Sequence, residues 1–365
     1  MKKYMLRAIE LALKGKGNVH PNPMVGAVIV KDNTIIGEGY HEMFGGAHAE
    51  INALKQASEP VQGATMYVTL EPCSHYGKTP PCADAIIQAK LAKVVIASFD
   101  PNPLVAGNGI KRLKDAGIDV EVGLANELNQ SINRIFFKYI QTKTPYVILK
   151  SAMTADGKIA THKHQSKWIS NEASRRDVHE TRAYVSAVMV GVGTVIKDDP
   201  LLTVRLEKEP TKQPIRIVLD PLGKIPLSAK LLNDLDTLKT YVVVGERVGR
   251  AQREALETKG AFVLISKADA DRIDLMRLMG QLGALGIDSI LLEGGSTISA
   301  AAFEAEIVDE YHLYIAPKII GGAEALTPVG GIGKAHMDEA IMMKLDHIDQ
   351  FDEDVRLIYR IKKEA

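Results

Sequence analysis

Short runs of aliphatic and β-branched residues recur along this chain, separated by stretches with helical periodicity. "MVGAVIV", "ATMYVTL" and "AKVVIASF" come first, with helical patterns over about 48–58 and 82–91 between them. Strand and helix in alternation impose an α/β architecture, because each helix must return the chain across a sheet face before the next strand can lie beside the last. "GIKRLKDAGIDVEVG" adds a helix and a strand that end this series near residue 123. "ELNQSINRIFFKYIQTKTP" reads as one helix running into Thr144 and Pro145, and the residue before a proline is a poor helical position. The boundary is placed at about 144, giving domains over 1–144 and 145–365.

A second series follows. "AVMVGVGTV", "IRIVLD", "TYVVVG", "AFVLI" and "SILLEGG" are candidate strands, with helical patterns over about 171–183, 250–259, 271–285 and 295–305. Strands so continuously apolar suit a sheet covered on both faces. "EYHLYIAPKIIGG" and "DVRLIYRIKK" are expected to return late to the sheet edge. The halves show no repeat of one another, so two different folds are expected, as is usual for a chain of 365 residues. Basic and acidic residues balance at 45 each, so no global field favours nucleic acid. The opening "MKKYMLRAIELALKGKGNVH" is amphipathic, with Met5, Ala8, Ile9 and Ala12 on one face, and reads as a first helix rather than a signal peptide. No run approaches the roughly 18 consecutive apolar residues that span a bilayer. Two cysteines in so long a chain point to a reducing, cytoplasmic setting.

Both cysteines lie in "EPCSHYGKTPPC", Cys73 after a strand and Cys82 at the head of the helix "CADAIIQAKL". Upstream, in "GGAHAEINALKQA", His48 and Glu50 stand where a glycine-rich loop turns into a helix. Thiolate and imidazole suit Zn²⁺, and three protein ligands leave the open position of a catalytic site. A carboxylate two residues from the histidine cannot easily join the same metal, but it can face a water held there. The competing readings are buried small cysteines, a disulfide across the intervening loop, and a closed structural zinc site, which normally takes four ligands.

"HAE" followed by "TLEPC" and a second cysteine resembles the zinc-dependent cytidine and nucleobase deaminases, whose cysteines are usually two residues apart. The expanded "PCSHYGKTPPC", with "HPNPMVGAVIV" before it and "DPNPLVAGNGI" after, is similar to the bifunctional riboflavin biosynthesis deaminase/reductases over nearly the whole chain. A polynucleotide base deaminase is the rival, and the neutral charge and the long cysteine loop argue against it. The resemblance implies a cytidine-deaminase-like first domain with His48, Cys73 and Cys82 as zinc ligands and Glu50 as the proton shuttle of a hydrolytic deamination. It also implies that Asn22, His41, His75, Lys78, Asp100 and Asn102 line a pocket for an aminopyrimidine carrying a ribose phosphate.

"SAMTADGKIA", "SKWIS", "GVGTVIKDDPLLTVR" and "LLEGGST" form a second ordered set. A strand, then Gly294 and Gly295, then a helix is an arrangement that presents backbone amides to phosphate. No G-x-G-x-x-G follows a first strand, which argues against a Rossmann domain. The set resembles the riboflavin-pathway reductase domain, similar in fold to dihydrofolate reductase and dependent on NADPH. Carried over, Ser166, Arg182, Leu202, Arg205 and Glu293 hold the phosphorylated sugar substrate. Ala152, Trp168, Thr194, Asp198, Gly295, Ser296 and Thr297 hold the cofactor. Lys150 steadies or protonates the group formed when hydride reduces the ring-opened ribosyl carbon. A homo-oligomer is expected, its order left open by the sequence.

Overall fold

The computed structural model of the chain describes residues 1–74, 80–102, 106–207, 212–269 and 272–362. The chain divides into two compact units, Met1–Lys143 and Thr144–Ala365. Among the described residues no helix is long and apolar enough to cross a membrane.

The first unit runs α1 (Lys2–Leu13), β1 (Gly26–Lys31), β2 (Thr34–Tyr40), α2 (Ala49–Lys55), β3 (Thr65–Leu70), α3 (Cys82–Gln88), β4 (Lys93–Ser98), α4 (Asn108–Asp115), β5 (Asp119–Val122), α5 (Asn126–Ile132) and α6 (Arg134–Thr142). Its sheet has the order β2-β1-β3-β4-β5. β1 is antiparallel to both neighbours, and β3, β4 and β5 are parallel. Successive strand residues point to opposite faces. Thus Ala27, Ile29, Met66, Val68, Val94 and Ile96 pack with Ala49, Ala53, Ala83, Ile86 and Leu113 of α2, α3 and α4. Val28, Val30, Tyr67 and Val95 pack with Tyr4, Met5, Ala8 and Ile9 of α1.

The helix expected up to Thr144 is two helices, broken at Asn133, whose side chain is spent elsewhere. Its Oδ1 accepts from Met24 N at 2.8 Å and its Nδ2 donates to Met24 O at 2.9 Å. That pair satisfies a buried stretch of backbone just before β1, a requirement arising 109 residues away.

The second unit runs β6 (Tyr146–Thr154), α7 (Glu172–Tyr184), β7 (Ala187–Gly191), α8 (Val192–Asp198), β8 (Ile215–Asp220), β9 (Thr240–Gly245), α9 (Arg250–Thr258), β10 (Phe262–Ser266), β11 (Ala268–Asp269), β12 (Arg272–Ile273), α10 (Leu275–Ala284), β13 (Ser289–Glu293), α11 (Ser296–Glu304), β14 (Glu310–Ala316), β15 (Met343–Phe351) and β16 (Asp354–Ile361). Its main sheet has the order β10-β9-β8-β7-β13-β6-β14-β16-β15. The strands from β10 to β14 are parallel, and β16 and β15 are antiparallel additions at one edge. One face carries Leu149, Met189, Ile217, Val243 and Leu292 under Leu278, Leu282 and Phe303. On the other, Ile148, Val188, Val218, Val242 and Leu291 are equally buried. Burial on both faces is why these strands read as unbroken apolar runs.

"AVMVGVGTV" is not a single strand. β7 stops at Gly191 and α8 begins at Val192, so the glycine-rich half of the run turns off the sheet at its carboxyl end. β2 and β15 were not evident as strands: β2 contains two glycines, and β15 is largely exposed and charged.

Gly26 marks the closest approach of α1 to the first sheet. A Cβ there would lie 1.9 Å from Ala8 O and 2.8 Å from Ala12 N. Gly26→Ala is therefore expected to push α1 off β1 and to lower stability by about 1–3 kcal/mol, a fall of several degrees in the unfolding midpoint. Calorimetry of the full chain checks this.

Candidate active sites

In the first unit three segments meet at the carboxyl end of β3. His48 is the residue before α2, Cys73 lies just past β3, and Cys82 opens α3. Their ligand atoms all lie within 4.8 Å of one another. His48 Nδ1 is 3.2 Å from Cys82 Sγ and 3.6 Å from Cys73 Sγ. A tetrahedral zinc site with Zn–N and Zn–S bonds of ordinary length places nitrogen and sulfur about 3.6 Å apart. Both thiols are free, so no disulfide competes, and the donor set fits Zn²⁺.

The three groups polarise one another. The hydrogen bond with Cys82, then that with His48, pulls the Cys73 thiol down to about 4 against the opposing effect of burial. Cys73 Sγ also accepts the Cys82 backbone N–H at 3.2 Å. The hydrogen bond to Cys73 lifts His48 to about 9, and the same neighbour, with burial, pushes Cys82 up. Glu50, on the first turn of α2, is 3% exposed, and burial raises its carboxyl while His48 opposes the rise.

His41 is also buried, edge-on to His48 with ring centroids 5.5 Å apart. Burial holds its pKa below the ordinary value. In the resulting neutral ring Nδ1–H donates to Ala47 O at 3.0 Å, and Nε2 accepts from Asn22 Nδ2 at 3.2 Å. Both ring nitrogens are thus engaged, and the Asn22 amide is oriented with Oδ1 away from His41. Asp100 follows β4, and its Oδ1 accepts from Asn102 N at 2.8 Å, which joins these two expected residues in one turn. His75 and Lys78 lie outside the described residues.

The second unit holds a cavity of about 850 Å³ at the carboxyl ends of its parallel strands. All thirteen residues expected from the reductase motifs line it. Sheet register explains how they meet. Glu293, the last residue of β13, pairs with Lys150 of β6, and α7 brings Arg182 to the same place. Arg182 Nε and Nη2 donate to Glu293 Oε1 and Oε2 at 2.5 and 3.1 Å, and its Nη1 donates to Thr203 O at 2.9 Å. Burial works to raise the Glu293 carboxyl, but Arg182 and then Lys150 outweigh it and leave it lowered. Burial lowers Lys150, with Glu293 opposing.

His179, one turn before Arg182 on α7, did not stand out in the sequence. Its Nδ1 accepts from Arg205 N at 3.2 Å. Burial, then the Arg182 and Arg205 charges, hold it down to about 4, so it remains a neutral acceptor. Its i−3 spacing from Arg182 on one helix is the signal that could have found it.

Toward the other end, Thr194 and Asp198 stand one turn apart on α8, and Gly295 precedes α11. Gly294 has no room for a side chain, since a Cβ would meet Ile298 Cγ2 at 2.0 Å. This lets the chain turn sharply from β13 into α11 and presents Ser296 and Thr297 to the cavity. Trp168 is 66% exposed, with the Arg175 guanidinium 4.5 Å from its ring centre. The indole therefore stands at the cavity rim, stacked on a cation, and not in the core.

The cytidine and deoxycytidylate deaminase zinc-binding region matches residues 1–98, and the RibD C-terminal domain matches residues 145–357. The chain is 48% identical over 357 residues to the riboflavin biosynthesis protein RibD of Actinobacillus pleuropneumoniae, covering 98% of this chain and 94% of the relative. The chain belongs to the RibD family. It is 44% identical to the Aquifex aeolicus member, with 98% of each chain covered. The solved structure of Acinetobacter baumannii RibD superposes with a TM-score of 0.89 at 41% identity, covering 99% of both chains. That of a diaminohydroxyphosphoribosylaminopyrimidine deaminase/5-amino-6-(5-phosphoribosylamino)uracil reductase from Thermotoga maritima gives 0.86 at 37%, covering 99% of this chain and 98% of that one. The family fold is a deaminase unit followed by a dihydrofolate-reductase-like unit, and the chain is a bifunctional riboflavin biosynthesis enzyme.

Replacing Glu293 by Gln removes the carboxylate that opposes the lowering of the Lys150 pKa by burial. Glu293 raises the Lys150 pKa and its loss lowers it. Because the ammonium persists only below its pKa, a reduction rate that depends on it should fall off at lower pH in Glu293→Gln. A pH profile of kcat measures this, and an unmoved limb would separate Lys150 from this carboxylate.

Proposed function

We propose that the first unit hydrolytically deaminates 2,5-diamino-6-ribosylamino-4(3H)-pyrimidinone 5′-phosphate. The second reduces the ribosyl group of the product, 5-amino-6-(5-phosphoribosylamino)uracil, to ribityl with NADPH. The assignment of these activities to residues 1–144 and 145–365 accords with the two compact units. The observation that carries the reading is the open set of three soft ligands with a buried carboxylic acid beside it.

His48, Cys73 and Cys82 hold zinc, which when bound acidifies a water molecule for attack on the amine-bearing ring carbon. Glu50 does not ligate. Its carboxylate takes the proton from the attacking water, places it on the adjacent ring nitrogen, and then passes a proton to the departing ammonia. Asn22, Asp100 and Asn102 read the ring's amines and carbonyl. His41 acts through Asn22, its engaged nitrogens setting the amide's orientation. His75 and Lys78 meet the phosphate.

In the second unit NADPH supplies the hydride. Gly295, Ser296 and Thr297 take the dinucleotide's phosphates, while Ala152, Trp168, Thr194 and Asp198 form the rest of its seat. Ser166, Leu202, Arg205, Arg182 and Glu293 hold the sugar phosphate. Lys150 Nζ donates a proton toward the heteroatom on the reduced carbon, positioned by Glu293 and Arg182.

The protein is read as a cytoplasmic homo-oligomer acting on small molecules, without nucleic acid or membrane partners. β15 is the edge of its sheet and carries Ile348, 57% exposed, and Ile332, Met337 and Met342 in the chain leading to it are 106%, 89% and 60% exposed. An open sheet edge reached through exposed apolar residues invites pairing with another chain. Light scattering of the variant carrying Ile332→Glu and Met337→Glu should show dissociation relative to the parent.

Zinc content should be one per chain, and Cys82→Ser should lose the metal together with deamination. Glu50→Gln should keep the metal and lose deamination by about two orders of magnitude or more, while reducing pre-deaminated substrate normally. Metal analysis and the two separate rate assays decide the assignment.

A further inference from the structure

Glu71 stands between β3 and Cys73 and has no part in the chemistry described above. Its carboxyl group is buried, the residue being 4% exposed, and it is surrounded by backbone donors. Oε1 accepts from Gly109 N at 3.0 Å and Ile110 N at 3.3 Å. Oε2 accepts from Gly107 N at 3.0 Å and Asp100 N at 3.4 Å. Gly109 and Ile110 lie in the first turn of α4, whose own preceding residue, Gly107, has no side chain to cap it. Glu71 therefore caps α4 from the end of β3 and binds Asp100 with the same group.

The contact is close. A Cβ on Gly109 would lie 2.0 Å from Pro72 O and 3.2 Å from Glu71 Oε1, so only glycine lets α4 come this near the chain leading into Cys73. The Glu71 backbone is itself registered on β4, its N–H donating to Ser98 O at 3.1 Å. The metal-ligand end of β3 and the Asp100 turn are thus referenced to one buried group.

We infer that Glu71 is a positioning residue of the deaminase. By gathering the amides of Asp100, Gly107, Gly109 and Ile110 it sets the distance between the Cys73 end of the metal site and the substrate-reading turn at Asp100. The inference rests on the proposed role of Asp100 in reading the pyrimidine. A carboxylate is required because all four partners are donors and both oxygens are used. An amide turns an N–H toward part of that set and leaves buried donors unpaired. The consequence falls on substrate placement rather than on the metal, since Glu71 makes no bond to a ligand side chain.

Three variants of the full-length zinc enzyme test it: Glu71→Gln, Gly109→Ala, which displaces the same turn while the carboxylate itself is kept, and Asp100→Ala. Zinc content and reduction of pre-deaminated substrate report on folding. Glu71→Gln and Gly109→Ala should each raise the deaminase KM about tenfold or more while kcat changes little, the signature of lost binding shared by ground and transition states. Asp100→Ala should raise KM as well. If Asp100→Ala leaves KM unchanged, the substrate-reading role of Asp100 fails, and the inference with it. If Asp100→Ala raises KM but Glu71→Gln and Gly109→Ala do not, the positioning role alone is overturned. Loss of zinc in Glu71→Gln at unchanged KM for the metal-loaded fraction also overturns it, because the carboxylate would then serve the metal loop.

Discussion

Three soft ligands have to arrive at one point from segments 25 and 9 residues apart, and the first unit is organised around that meeting. Thiolates and an imidazole repay crowding only when they share a cation, and otherwise they perturb each other's protons, as the opposed shifts of Cys73 and Cys82 show. A parallel pair of strands supplies the site, because each strand ends on the same side and the helix after it begins there. β3 delivers Cys73, α3 begins at Cys82, and α2 comes in from the neighbouring connection with His48. Glu50 follows automatically, two residues into α2 and turned inward, where burial raises its carboxyl pKa.

The second unit solves the same geometric problem without a metal. Lys150, Glu293 and Arg182 are three charges withdrawn from water, and none is tolerable alone. Placed on adjacent strands and one facing helix, they neutralise one another in pairs: the guanidinium fork covers both carboxylate oxygens, and the carboxylate supports the ammonium. His179 stays neutral beside Arg182 and Arg205, so it adds no further positive charge. The same cavity is also lined by Gly294, Gly295, Ser296 and Thr297 at the start of α11.

The sequence conveyed much of this unevenly. Continuous apolar strands such as "TYVVVG" and "SILLEGG" were readable because burial on both faces leaves no polar alternation. His48, Glu50, Cys73 and Cys82 were readable because short motifs carry their spacing. Trp168, Arg182 and Arg205 became candidates through family resemblance, since a lone indole or guanidinium carries no local mark of its role. Glu71 and His179 escaped for the same reason, and the break at Asn133 escaped because its cause is the backbone of Met24.

By itself the sequence determined two unlike α/β halves, their alternation, and a ligand set fit for zinc, because each depends on periodicity or on residues close together in the chain. Only the tertiary structure decided which charges meet. Arg182 and Glu293 are 111 residues apart, and Glu71 reaches amides up to 39 residues away. Such pairings follow the lateral order of strands, and that order is set by how whole faces bury against helices rather than by any local pattern. The depth at which a carboxylate or lysine comes to rest, and hence its charge and its use, is decided there.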